Sequence, residues 1–428
     1  MLNRNLQPDI CEPEQIAVQQ PELYTLPNGI PLYILDACDC EVTRIDVLME
    51  GGRWHQKQPL QALFTNRMLR EGTRRYTAAQ IAEKLDYYGA WLDLASASEH
   101  TYVTLYSLNK YLPNTLDLLE SIIKEPVFPA DELKVIINNN IQQFLVNSSK
   151  VEFLAHRGLV KAVYGSAHPV GYVVQEDDYR KITSETLQQF YDNFYHSGSC
   201  SIYLSGRITP DCIRRVESVF GTGTFGSHWK KVKKIHYLPV LTTERRVFIE
   251  LPDALQSAVR IGGLSLDRCH PDYLKMRVVI TLLGGYFGSR LMSNIREEKG
   301  YTYGIAASLM TYPDHGMLAI SAETTNEYVD PLISEVYHEI DRLQNELVSD
   351  EELKMLKNYM LGDMCRSYES AFSLADAWIS LQVSGLSSSY FAEALNAVKN
   401  ITPDEIRELS QKYICKESLK EIISGRKI

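Results

Sequence analysis

The chain has 428 residues, enough for two domains of about 200 residues, each burying its own core. With 45% hydrophobic and 23% charged residues it is composed as an ordinary globular protein, which excludes collagen-like, low-complexity and largely disordered chains. Lys plus Arg number 44 against 54 Asp plus Glu, a formal charge of −10, so a general affinity for nucleic acid or an anionic membrane is not expected.

Met1-Leu2-Asn3-Arg4-Asn5-Leu6-Gln7 lacks the apolar run of a signal peptide, and no stretch reaches the ~20 apolar residues of a membrane helix. A cytoplasmic protein is therefore expected. The eight cysteines are scattered, with no Cys-x-x-Cys, which fits a reducing compartment. Cys38-Asp39-Cys40 is the one close pair, but without further ligands nearby it does not make a metal site.

Leu26-Pro27-Asn28-Gly29-Ile30 places an Asn-Gly turn between strand-like runs, a strong short hairpin signal. Leu32 to Leu35 and Thr43 to Leu48 read as strands, the second ended by Gly51-Gly52. Leu60, Leu63, Phe64, Met68 and Leu69 recur at helical spacing and predict an amphipathic helix over 59–70, opened by Pro59 and closed near Gly72. A second helix is expected over 78–88, strands over 91–106, and a helix carrying Leu112, Leu116, Leu119 and Ile123.

The second half follows the same order. Strand residues from Ala258 to Gly263 precede a helix over 272–283 and glycines at 284, 285 and 288. Strands around 303–309 and 317–322 come next, then Thr324 and Glu327 as a capping box ahead of a helix with Leu332, Val336, Ile340 and Leu343. Tyr88-Gly89 against Tyr303-Gly304 gives 304 − 89 = 215, and Glu132-Leu133-Lys134 against Glu352-Leu353-Lys354 gives 352 − 132 = 220. A nearly constant offset implies an internal duplication of two paired domains.

The expected division is an amino-terminal domain over 1–225, a linker over 226–245 and a carboxy-terminal domain over 246–428. The glycine-rich piece at 221–226 follows a helical pattern, not a strand, which argues against a phosphate-binding loop. Lys230-Lys231-Val232-Lys233-Lys234 reads as a solvated linker run, with a phosphate or partner contact as the alternative.

Several motifs fall in a fixed order: Leu26-Pro27-Asn28-Gly29, Gly51-Gly52-Arg53-Trp54, Met68-Leu69-Arg70-Glu71-Gly72-Thr73, His168-Pro169-Val170-Gly171-Tyr172, Phe190-Tyr191 with Phe194-Tyr195, and Gly206-Arg207-Ile208. The second half adds Leu283-Gly284-Gly285, Ser289-Arg290-Leu291 and Asn294-Ile295-Arg296-Glu297-Glu298-Lys299-Gly300-Tyr301-Thr302-Tyr303. From about residue 22 to the end, the chain resembles the zinc peptidases of the pitrilysin/insulinase family.

That resemblance implies an α+β fold of two homologous halves, each an antiparallel-rich sheet with helices packed on one face, in a metalloprotease clamshell-half architecture around a chamber. Active members carry two His and a Glu base on one helix, so that the imidazoles converge on zinc, and a further Glu on a later helix. Counted back from Gly72-Thr73, the helix positions fall on Leu63, Asn66 and Arg67, and the fourth falls on Asn139.

None of the four replaces a zinc ligand. An aliphatic chain has no lone pair and a carboxamide is a poor, uncharged donor. A divalent ion ~4 Å from a guanidinium meets a repulsion of roughly 8 kcal/mol at an effective dielectric of about 20. Residues 56–70 hold neither His nor Glu. Glu99-His100, with Glu152 and His156 at helical spacing, is the best surviving metal-capable set, and reads as solvated or hydrogen-bonded surface groups.

The resemblance further implies that Arg296, in the last turn of a helix that Gly300 ends, and Tyr303, on the following strand, hold the substrate backbone and stabilise the developing oxyanion. The expectation is a zinc-free subunit with no cofactor of its own, which presents Arg296 and Tyr303 to an unfolded peptide in trans with a zinc-bearing homologous subunit. The alternative is a non-catalytic scaffold or peptide-binding homodimer of the same fold.

Overall fold

The computed structural model describes residues 16–37, 40–226 and 234–427. Cys38 and Asp39, all of the basic run but Lys234, and the first seven residues lie outside the described residues. The first half runs β1 (Glu22–Thr25), β2 (Pro31–Asp36), β3 (Val42–Glu50), α1 (Gln61–Met68), α2 (Ala78–Tyr88), β4 (Trp91–Ser96), β5 (His100–Leu108), α3 (Leu112–Lys124), α4 (Ala130–Ser148), α5 (Val151–Tyr164), α6 (Glu176–Arg180), α7 (Ser184–Phe194), β6 (Cys200–Gly206) and α8 (Pro210–Val216). The second runs β7 (Arg246–Glu250), β8 (Gln256–Ser265), α9 (Tyr273–Ile280), β9 (Thr302–Tyr312), β10 (His315–Thr325), α10 (Val329–Asn345), α11 (Asp350–Ser367), α12 (Ala371–Val383), α13 (Ser389–Asn400), α14 (Pro403–Tyr413) and β11 (Lys420–Gly425). Among the described residues no helix is long and apolar enough to cross a membrane.

The sheets are built alike. Strand order is β1-β2-β6-β3-β5-β4 in the first and β7-β11-β8-β10-β9 in the second. The pairs β2/β6 and β7/β11 are parallel, and the remaining neighbours are antiparallel. Matched elements keep the expected spacing: β2 to β7 is 246 − 31 = 215, and α4 to α11 is 350 − 130 = 220. One of the two local matches does not survive, because Tyr88-Gly89 closes α2 whereas Tyr303-Gly304 lies within β9.

Two further expectations are corrected. The helix expected over 59–70 begins only at Gln61, after Leu60 takes up a left-handed φ of 69°, so Pro59 stands outside it. Thr324 is not a cap: it belongs to β10, and its hydroxyl donates to Tyr301 O. By contrast, Thr77 and Gln80 form a capping box on α2, and Gly89 closes that helix at φ 58°.

The helices do not divide where the sheets do. One face of the first sheet, carrying Ile45, Val47, Val103, Ile202 and Leu204, packs under α1, α3 and α7, and one face of the second packs under α9, α10 and α14. The opposite face of the second sheet, with Ala258, Met317, Ala319 and Ile422, is covered by Ala155, Leu159 and Val163 of α5, which precedes the linker. Reciprocally, α12 of the second half seats Leu374, Ala375 and Ile379 against Leu35, Leu48 and Tyr203 of the first sheet. Each half thus lends the other one helix, and the 226–245 linker separates two sheets but not two independent cores.

A buried arginine on the first sheet, paired within its own strand, also reaches across to an exposed carboxylate of α12. Arg44 on β3 bonds Asp46 at 2.8 Å and reaches Asp376 on α12 at 2.6 Å, and its Nη1 donates to Phe372 O at 3.1 Å. Burial pushes the Asp46 carboxyl up, against the pull of Arg44 and the Thr104 hydroxyl. Losing one partner of such a pair costs roughly 3–5 kcal/mol, because the other charge stays buried and uncompensated.

Candidate functional site

Leu63, Asn66 and Arg67, the three helix positions counted from Gly72-Thr73, lie on α1, which Gln61 anchors by accepting from Lys57 N–H at 2.9 Å and donating to Thr186 O at 2.7 Å. Phe64 and Met68 point into the first core. Leu63 is half-buried on the same helix. Asn66 is 1% exposed; its Nδ2 donates to Tyr195 OH at 3.1 Å and Tyr102 O at 3.3 Å, while its Oδ1 is buried without a partner. Burial pushes the Tyr195 and Tyr102 phenols up to about 12, so both stay protonated.

Arg67 points outward and donates through Nη1 to Asn140 Oδ1 at 2.8 Å. Asn139, where the spacing places the fourth position, is exposed on α4, and the residue that meets Arg67 is its neighbour. Asn140 is oriented by a 2.8 Å bond from its Nδ2 to Ile136 O. Within Asn138-Asn139-Asn140 nothing but helical phase distinguishes the three, so the sequence could not single it out.

This donor set does not fit a zinc ion. Its one inward lone pair is an amide oxygen, and the charged group beside it is a cation already engaged with Asn140. Among the described residues there is no group of three or more His, Cys, Asp or Glu placed to hold a metal. Glu99 and His100 line a separate cavity of 710 Å³ between the halves, with Lys234, Asp314 and Gln382. His156 sits on α5 near Arg260. Burial, with His55 nearby, lowers the His100 imidazole to about 4.

Arg67 opens onto a cleft of 700 Å³ between α1, α2, α4 and β4, lined by Arg70, Glu71, Ile81, Leu85, Trp91 and Ile136 among others. β4 is the outer strand of its sheet, and Trp91 at its start is 67% exposed. An edge with no further strand among the described residues, beside a cleft that mixes charged and apolar groups, can take an extended peptide by main-chain pairing, with alternate side chains entering the cleft. The aromatic and the edge position were not singled out from the sequence, because strand order is a tertiary property.

Arg296 and Tyr303 stand on the other half. The helical turn Met292–Glu298 ends on Gly300 at φ 67°, with Tyr301 N–H closing on Ile295 O at 3.0 Å. The Arg296 guanidinium carbon lies 4.8 Å over the Phe287 ring, and among the described residues no carboxylate pairs with it. Phe287 is 57% exposed.

Pairing of β9 with β10 shifts between Thr302↔Thr324 and Ile305↔Ala322, so Tyr303 and Gly304 together face Glu323. Thr302 Oγ1 lies 2.6 Å from Glu323 O and accepts from Gly304 N–H at 3.1 Å, spanning this bulge. A bulge re-aims a side chain, and Tyr303 is 91% exposed as a result. Neither Arg296 nor Tyr303 lines the cleft beside Arg67.

The matching family models are "Insulinase (Peptidase family M16)" over residues 56–168 and "Peptidase M16 inactive domain" over 181–360. Together they span most of the chain, which belongs to the M16 peptidase family as a homologue lacking the zinc motif. Its curated relatives include the "Uncharacterized zinc protease YmxG" of Bacillus subtilis, 24% identical over 82% of this chain and 85% of the relative. The "Non-peptidase homolog YmxG" of Helicobacter pylori is 22% identical over 84% and 83%.

Among solved structures, the M16 inactive domain from Pseudomonas fluorescens superposes with a TM-score of 0.84 at 22% identity, covering 95% of this chain and 98% of that one. The periplasmic protease PqqL of Escherichia coli matches with a TM-score of 0.78 at 14% identity over all of this chain but 48% of its own.

Proposed function

We propose that this chain is the zinc-free subunit of a two-chain M16 peptidase, holding an unfolded peptide with Arg296 and Tyr303 against the zinc site of a homologous partner. The observation that carries this reading is the contrast between the two halves: the metal positions hold an aliphatic, a buried amide and a paired cation, while Arg296 and Tyr303 are uncommitted. A half-buried guanidinium with no acid beside it and a phenol thrust into solvent are donors suited to a developing oxyanion. That this chain matches about half of a larger protease supports pairing of two such units. The free thiols of Cys200, Cys212, Cys269, Cys365 and Cys415 support a reducing compartment.

The test is hydrolysis of an unstructured peptide by this chain mixed with a zinc-bearing homologue carrying His-x-x-Glu-His. Y303F and R296A each lower kcat by about 10²-fold if they serve the transition state. Unchanged rates in both variants defeat the proposal. The naming of one relative as a non-peptidase homologue favours a second reading, a peptide-binding scaffold. It predicts peptide binding by this chain alone and no hydrolysis in any mixture.

A further inference from the structure

The duplicated halves differ at one sheet edge. In the first, the outer side of β2 is paired along its length with β1, from Thr25↔Pro31 to Glu22↔Ile34. In the second, no strand among the described residues pairs with the outer side of β7, the counterpart of β2. The segment at the repeat position of β1 begins near 22 + 215 = 237. It runs instead along the end of α5, with Val240 N–H donating to Tyr164 O at 3.0 Å and Thr242 N–H to Ala162 O at 2.9 Å.

The phase of that bare edge is fixed. Arg245 O accepts from Glu421 N–H at 2.8 Å and Leu251 N–H donates to Gly425 O at 2.8 Å, so the odd-numbered residues face β11. The backbone N–H and C=O of Arg246, Phe248 and Glu250 therefore point outward. Proteins usually blunt such an edge with Pro, a bulge or charged side chains; Arg-Val-Phe-Ile-Glu has no Pro and no bulge, and its two charges are of opposite sign.

We propose that a second copy of this chain pairs its β7 antiparallel to this one about a twofold axis through Phe248, joining two five-stranded sheets into one. The strand is complementary to itself. Centred on Phe248, the register sets Arg246 opposite the second copy's Glu250, the reverse pair across the axis, and the two Phe248 rings side by side. The outward amides then fall in hydrogen-bonded pairs, each copy's three N–H groups meeting the other's carbonyls.

Glu250 has no ion-pair partner in its own chain among the described residues, and Phe248 is 39% exposed. Arg246 also touches Asp330 and Glu421. A twofold contact is closed and does not propagate into fibres. A five-residue pair buries less than the roughly 800 Å² per partner of a stable complex, so the dimer is weak and concentration-dependent. β7 lies at the opposite edge from β9, which leaves Tyr303 uncovered, and the inference stands whether or not a zinc-bearing partner exists.

The test is sedimentation velocity of the full chain over a range of concentrations, with urea unfolding confirming that each variant is folded. Wild type shows a reversible monomer–dimer equilibrium. E250R sets two cations opposite each other twice and weakens association by about tenfold or more, and R246E/E250R restores it by exchanging the charges. F248P removes the central N–H at an edge position that tolerates proline and abolishes the dimer. A monomer at every concentration, or a dimer indifferent to E250R and F248P, overturns the proposal.

Discussion

Gly158 and Gly362 both sit inside helices, and the same substitution at the two should have opposite effects. A Cβ on Gly362 meets nothing within 4 Å, whereas one on Gly158 falls 2.7 Å from Ile422 Cγ2 and 3.1 Å from Ile249 Cδ1. Helix propensity alone favours alanine by about 0.8–1 kcal/mol at each site, so G362A stabilises by about that amount. At Gly158 the same gain is opposed by overpacking of roughly 1–3 kcal/mol.

Relief is poor there, because Ile422 is buried in β11 between β7 and β8 and is branched at Cβ. G158A is therefore expected to destabilise by up to about 2 kcal/mol. The difference between the two variants isolates the packing of α5 on the second sheet. Equilibrium urea unfolding measures it, as the shift in midpoint multiplied by the slope. If G158A proves as stable as G362A, α5 does not sit at this distance and the exchange of helices is wrongly drawn.

Because each half covers its sheet with a helix of the other, residues 1–225 and 246–428 expressed separately should be unfolded or aggregated, and the whole chain should unfold in one transition; circular dichroism of the three proteins decides. D376A leaves Arg44 buried with Asp46 alone and should destabilise the chain more than R407A, which removes an exposed pair with Asp404, as read from urea midpoints. Burial lowers His100 and His168 from their ordinary 6.5 to about 4. Between those values the unfolded chain binds protons that the folded chain refuses, so stability present above pH 6.5 is lost as the pH falls toward 4. The midpoint of an H100Q/H168Q variant should fall less steeply over that window than that of wild type.

Local signals in the sequence were strong enough to give many of the elements, since Asn28-Gly29 and Gly300 each specify one backbone conformation, whereas the cap read at Thr324 lies inside β10. The repeat gave the pairing of halves, because strands at a constant offset of about 215 residues rebuild the same sheet. The exchange of α5 and α12 was not legible: an apolar stripe such as Ala155, Leu159 and Val163 shows that a helix is buried but not which sheet buries it. At the candidate site, Leu63, Asn66 and Arg67 were assigned by counting back from Gly72-Thr73, and the structure places all three on α1. Asn139 was placed by spacing on a separate helix, and that Arg67 bonds its neighbour Asn140 at 2.8 Å depends on a tertiary contact that counting along the chain does not reach. The bulge that turns Tyr303 outward likewise depends on pairing with Glu323 on the next strand, which counting along the chain does not give.

Diffraction from crystals soaked in excess zinc, with data collected at the metal's absorption edge, bears most directly on the proposal that this chain leaves the catalytic ion to a partner. No anomalous peak should appear between Asn66, Arg67 and Asn140. A well-occupied ion ligated there, retained after dialysis, would contradict the assignment of the metal to another subunit.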